Sequence, residues 1–135
     1  MDKKQQELMF KLSMFEQQIQ NINQQLQAVE NSIIELNSLI NGLDELKGKK
    51  GEEILSSIGR GIFVKSQLLS EDLIVDVGGR NLVKKNIPDT QELIKEQLKK
   101  LEEVQQELQK ALEDINKQLT DTIVEHQKKQ EESKS

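Results

Sequence analysis

The sequence has no cysteine, no tryptophan and no tyrosine, and it has one proline. Without cysteine there is no disulfide framework and no thiolate chemistry. The single histidine, His126, has no second His or Cys with which to complete a structural zinc site. Three Phe are the only aromatics, and 34% of the chain is hydrophobic against 32% charged, a composition from which a close-packed globular interior is hard to build. No apolar run approaches the roughly 20 residues needed to span a bilayer. The opening Met-Asp-Lys-Lys-Gln-Gln-Glu lacks the apolar core of a secretory signal. A surplus of Lys and Arg is also missing: the net charge of −5 argues against nucleic-acid binding, which needs cations to neutralise phosphate. The expectation is a soluble intracellular protein of the cytoplasm, with neither nucleic acid nor membrane as partner.

What is abundant is period. Leu8, Leu12, Phe15, Ile19, Ile22, Leu26, Val29, Ile33, Leu36, Ile40 and Leu43 follow one another at alternating steps of four and three. A 3.5-residue repeat keeps one seam facing a partner helix and marks a left-handed coiled coil. The pattern resumes at Ile94, Leu98, Leu101, Leu108, Leu112, Ile115 and Leu119, so the chain carries its own partner. Gln105, Thr122 and His126 fall on the same seam as polar members. Such residues cost stability but can define register.

Glycine and proline divide the chain. All seven Gly lie between Gly42 and Gly79, and the proline is Pro88. Both are costly inside helices, so their exclusion from the flanks is a helix signal in itself. Residues 3–46 are predicted as helix one, with fraying expected from Gly42. Within 54–87 four short strands are predicted: Ile54–Ile58, Ile62–Leu69, Leu73–Val77 and Leu82–Ile87. Gly59-Arg60-Gly61, Ser70-Glu71-Asp72 and Gly78-Gly79-Arg80-Asn81 supply the turns, which argues for hairpins. Pro88-Asp89 would then open helix two, with Asp89 as cap and Glu92 completing a capping-box spacing. That helix is expected over 89–127, and 128–135 as a flexible polar tail. The whole, 1–135, reads as a single domain of α+β class: a long antiparallel coiled-coil hairpin with two small β-hairpins inserted between its helices. Leu43 would lie near Ile94 or Leu98, and His126 opposite the Leu8–Phe15 turns. Two registers half a heptad apart satisfy the pattern equally.

The predicted strands are apolar on both faces. Ile62, Val64 and Leu68 share one side of the second and Phe63 and Leu69 the other, while Leu73, Ile74, Val75 and Val77 follow. Small hairpins of this kind need other surfaces and other edges. An oligomer interface through Ile62, Phe63, Val64, Leu68, Leu73, Ile74, Val75, Val77 and Val83 is therefore expected.

Chemistry is sparse. Gly78-Gly79-Arg80 is followed by a strand rather than a helix, which fits a hairpin turn and not a phosphate loop. No nucleophile–base pair can be assembled, so no enzyme and no cofactor is expected. The start of helix one stands out instead. Met1, Met9, Met14, Phe10 and Phe15 all fall in the first fifteen residues. Leu8, Leu12 and Phe15 belong to the seam, but Met9, Phe10 and Met14 do not, and Ile123 and Val124 add apolar surface from helix two. Such a surface suits weakly specific binding of non-native chains, a role for which flexible Met is apt.

Ile62-Phe63-Val64-Lys65, then Val77-Gly78-Gly79, then Leu82-Val83-Lys84-Lys85, set between two heptad-patterned helices, resemble prefoldin, a co-chaperone family of archaea and eukaryotes. Two hairpins between the helices resemble its alpha class. The family commonly reads Val-Gly-x-Gly where this chain brings its second glycine, Gly79, one place early, and Ser56-Ser57 stands where a Pro is frequent. The resemblance implies an ATP-independent co-chaperone subunit. It would assemble with a second copy of itself and four beta-class subunits into a heterohexamer, their hairpins forming a β-barrel platform. The coiled-coil tips would hold unfolded proteins and deliver them to a group II chaperonin. The alternative is a structural coiled-coil scaffold or a filament-forming prefoldin homologue.

Overall fold

The computed structural model describes residues 2–134. Met1 of the expected apolar cluster lies outside that range, as does the last residue of the expected tail. The element order is α1 (Lys3–Leu46), β1 (Glu53–Gly59), β2 (Ile62–Gln67), β3 (Leu73–Asp76), β4 (Leu82–Lys85) and α2 (Ile87–Lys134). The chain falls into two compact units: Met1–Ser32 with Leu101–Ser135, and Ile33–Lys100. Both helices run unbroken from one unit into the other.

Asp2 caps α1, its Oδ1 accepting from the Lys4 amide at 3.3 Å. Gly42 does not start a frayed end: helical backbone continues to Leu46, and the next residue, Leu43, is buried. The stop comes at Gly48, whose φ of 76° gives the left-handed conformation that ends helices.

In the unit Ile33–Lys100, β1 and β2 form one antiparallel hairpin and β3 and β4 a second, separate one. The first pairs Ile54 with Ser66 and Ser56 with Val64, and its register shifts between Ser57 and Gly59. Backbone bonds from Leu68 N to Glu52 O (3.0 Å) and from Gly51 N to Leu68 O (2.7 Å) carry the pairing one step beyond the strand ends. The second pairs Leu73 with Lys85 and Val75 with Val83. Its turn spans Gly78-Gly79-Arg80, all three at positive φ (121°, 59° and 63°). The shifted glycine is thus accommodated, but Arg80 occupies the left-handed place where the family pattern has Gly.

The fourth strand and the start of helix two differ from expectation. Ile87 was expected to end the strand; it is the first residue of α2 and, at 2% exposure, the most deeply buried large side chain. Asn86, not Asp89, is the cap: its Oδ1 accepts from the Asp89 amide at 2.8 Å. Pro88 sits comfortably behind it, because amides of a first helical turn have no intrahelical partner to lose. At the other end α2 continues past Gln127 to Lys134, where a polar tail was expected. Glu, Gln and Lys are good helix formers, and nothing in 128–134 breaks the backbone.

The core of this unit is the cluster Leu43, Ile87 and Ile94, with Leu36, Ile40, Leu46 and Leu73 packed on it. Leu43 therefore packs with Ile94, one of the two positions expected to lie near it. Gln91 settles the same choice: its Nε2 donates to Ile40 O at 3.1 Å and to Asp44 Oδ1 at 2.7 Å. Ile87 and Gln91 extend the four–three pattern of α2 backward from Ile94, two positions that the sequence pattern alone leaves out.

Candidate protein-binding surfaces

In the unit formed by Met1–Ser32 and Leu101–Ser135, every seam residue of both helices is half-buried. Leu8 and Lys11 line one cleft with Thr122 and His126, which places His126 against the start of α1. The eight residues singled out here divide by a simple rule. Leu8, Leu12 and Phe15 lie in the seam and are half-buried. Met9, Phe10, Met14, Ile123 and Val124 lie beside it and are exposed, Phe10 to 67%. A heptad has room for two residues in its seam, so apolar residues at the adjoining positions have no partner within the helix pair.

The hairpins present a second apolar surface. On the first, Ile54, Ser56, Ser66 and Leu68 are half-buried, while Leu55, Phe63, Ile58, Ile62 and Val64 are exposed. On the second, Leu73 and Val75 are half-buried, whereas Ile74, Val77, Leu82 and Val83 are exposed. Leu73, expected at an oligomer interface, packs on the core cluster of its own chain. The others expected there fall on the hairpins, most of them open to solvent. Leu55, Ile58 and Leu82 join them. Their signal was the alternation of strand residues: Leu55 is the Cα partner of Lys65 and Leu82 that of Asp76, on the faces turned outward.

Electrostatics contribute little to either surface. The ion pairs Lys47–Asp44, Lys49–Glu52, Lys65–Glu53 and Lys95–Glu92 join exposed side chains, three of them within one turn of each other, and such pairs are worth little. The Asp44 carboxyl lies below the usual carboxylate range because the Gln91 side chain and then Lys47 donate to it. No group of acidic residues and His able to hold a metal occurs among the described residues, and no helix of these is long and apolar enough to cross a membrane.

A family model described as Prefoldin subunit matches residues 15–132. The Prefoldin subunit alpha of Methanobrevibacter smithii is 36% identical over 87 residues, which are 64% of this chain and 60% of that protein. That of Methanosphaera stadtmanae is 27% identical over 86 residues, 64% of this chain and 62% of its own. The chain thus spans about three-fifths of the length of these relatives. A filamentous PFD from Methanocaldococcus jannaschii, solved by cryo-electron microscopy, shares the fold with a TM-score of 0.76 at 20% identity, over 85% of this chain and 97% of that one. With a match that runs from within α1 through both hairpins nearly to the end of α2, and relatives that are alpha subunits, the chain belongs to the prefoldin family, in its alpha class.

Proposed function

We propose that this chain is a subunit of an ATP-independent chaperone that holds non-native proteins at its helix ends and delivers them to a group II chaperonin. The observation that carries the reading is the exposed apolar set Met9, Phe10, Met14, Ile123 and Val124, which seam pairing does not use. Unfolded chains offer many short apolar segments, and weak contacts from several subunits add through multivalency. Leu8, Leu12 and Phe15 would join as the seam breathes. The hairpins would supply assembly: two copies of this chain and four beta-class subunits would cover Ile62, Phe63, Val64, Ile74 and Val77 in a shared β-barrel. Burying such side chains is worth roughly 1.5–3 kcal/mol each.

The test is a light-scattering assay of an aggregating model protein, without nucleotide, at substoichiometric amounts of the assembled complex. Suppression is the expected result, and its absence would remove the holding role. A second reading is favoured by the filamentous state of the PFD whose fold this chain shares: hairpin pairing could propagate copies of this chain instead of closing a ring. Native mass spectrometry with and without a beta-class partner separates the two.

A further inference from the structure

We propose that Glu71 is a positioning residue that fixes the direction in which the first hairpin leaves the end of α1. The core cluster and the side chains packed on it include Leu73 of the second hairpin and, among the described residues, none from the first. The first hairpin is closed at its stem by bonds between its own two ends. Gly51 N donates to Leu68 O at 2.7 Å, Leu68 N to Glu52 O at 3.0 Å, and Gln67 Nε2 to Gly51 O at 2.9 Å. Glu71 does something different. Its Oε1 accepts from the Gly48 amide at 2.7 Å, across 23 residues of sequence. It thereby ties the segment between the two hairpins to the left-handed glycine at which α1 stops.

A helix that ends at a left-handed glycine ordinarily returns that glycine's amide to its own last turn. The amides on either side do so here, Lys47 N to Asp44 O at 3.2 Å and Lys49 N to Leu46 O at 3.1 Å. The Gly48 amide goes to Glu71 instead. Helix stability does not account for a carboxylate at that place. Negative charge at a C-terminus opposes the helix dipole, and Asp44 and Glu45 already stand in the last turn. What the bond supplies is a closed ring: Gly48 to Gly51 along the chain, Leu68 across the stem, and Glu71 back to Gly48. A backbone amide bonded to an ionised acceptor is held about twice as strongly as one bonded to a neutral group. The ring restrains the stem at Gly48 and Gly51, where glycine backbone in open space would otherwise let it swing. The direction of the first hairpin decides which of its apolar faces meets a second subunit, so the size of the assembly depends on Glu71. That consequence rests on the reading of the hairpins as the assembly surface; the positioning does not.

The chain has no cysteine, so spin labels can be attached through Asn37→Cys in α1 and Ser57→Cys in the first hairpin, both exposed positions. The full chain is labelled and diluted with unlabelled chain, so that distances are read within one molecule. Pulsed dipolar spectroscopy should give one narrow distance distribution in this background and in Glu71→Gln, whose amide oxygen still accepts. Glu71→Ala should lose the single narrow peak, with exchange of the Gly48 amide about tenfold faster and the helical signal unchanged. Native mass spectrometry should show a wider spread of assembly sizes for the Ala variant than for the other two. A narrow distribution in the Ala variant overturns the positioning role, and so does a Gln variant as broad as the Ala one. That measurement decides on Glu71 whether or not the hairpins prove to be the assembly surface. Unchanged assembly sizes beside broadened distances overturn the consequence for assembly.

Discussion

The Nε2 of Gln91 in α2 donates to Oδ1 of Asp44 in α1 at 2.7 Å, across 47 residues of sequence. The same nitrogen reaches Ile40 O, and Gln91 is only 6% exposed. A buried amide of this kind has a partner in one alignment of the helices and loses it in the other. It thereby discriminates between the two registers that the heptads alone leave equal.

The first prediction follows from this pair. The Asp44 carboxyl is held below its ordinary range first by Gln91 and then by Lys47. A lowered folded-state value contributes stability above the unfolded value, near pH 4, and that stability is lost as pH falls further. Thermal melts from about pH 6 down to about pH 2 should therefore show an acid-dependent drop in the wild type, shallower in Asp44→Asn. A drop of equal size in the variant would mean that other carboxylates are responsible.

Ile87 is the most enclosed side chain and joins the start of α2 to Leu43 and Ile94. Ile87→Ala should destabilise the fold by about 2–4 kcal/mol, as is usual when a buried aliphatic leaves a cavity. Denaturant titration followed by circular dichroism measures it. A cost below about 1 kcal/mol would show that the site collapses around the smaller residue.

Assembly should depend on the hairpins. Glu at both Val64 and Ile74 puts charge into surfaces proposed to be buried between subunits, which costs more than the lost apolar burial. Sedimentation velocity should show monomers that keep the helical signal. A doubly charged variant that still sediments as the native oligomer would place the interface elsewhere.

Replacing Met9, Phe10 and Met14 together by Ser should spare assembly and helicity, because no seam position changes. Client holding should fall, in part only, if beta-class subunits share the load. Protection equal to wild type at every ratio of complex to client would leave these residues without a holding role.

Arg80 carries the left-handed backbone at φ 63°. That conformation costs an ordinary residue about 1–2 kcal/mol, offset by the about 0.5–1 kcal/mol of extra freedom that glycine gives the unfolded chain. Arg80→Gly should stabilise the second hairpin by about 0.5 kcal/mol, read as slower exchange of the Val77 and Asn81 amides. Faster exchange would show that the arginine side chain contributes more than the backbone costs.

Sequence period and composition determined most of the architecture. A four–three apolar repeat, unbroken on the first flank and interrupted only by Gln105, Thr122 and His126 on the second, means paired helices, since only a partner surface can bury a stripe of that spacing. Glycines confined to the middle mark the hairpin turns, because left-handed backbone is nearly free only for them. Apolar residues beside the seam were legible as surplus from their positions alone. Register was not legible, because a repeat looks the same after sliding by one period. It took the bond between Gln91 and Asp44, far apart in sequence, to decide it. The fate of Ile87 was hidden for a related reason. A β-branched residue after Lys-Lys-Asn suits a strand end by local pattern, yet the Asn86 cap and the pocket made by Leu43 and Ile94 turn it into the anchor of α2. Leu73 likewise reads as one more strand residue, and only the packing of the second hairpin on the helices shows which of its two faces is covered. Local spacing dictates which elements form; contacts between residues distant in the chain choose among the arrangements that those elements equally allow.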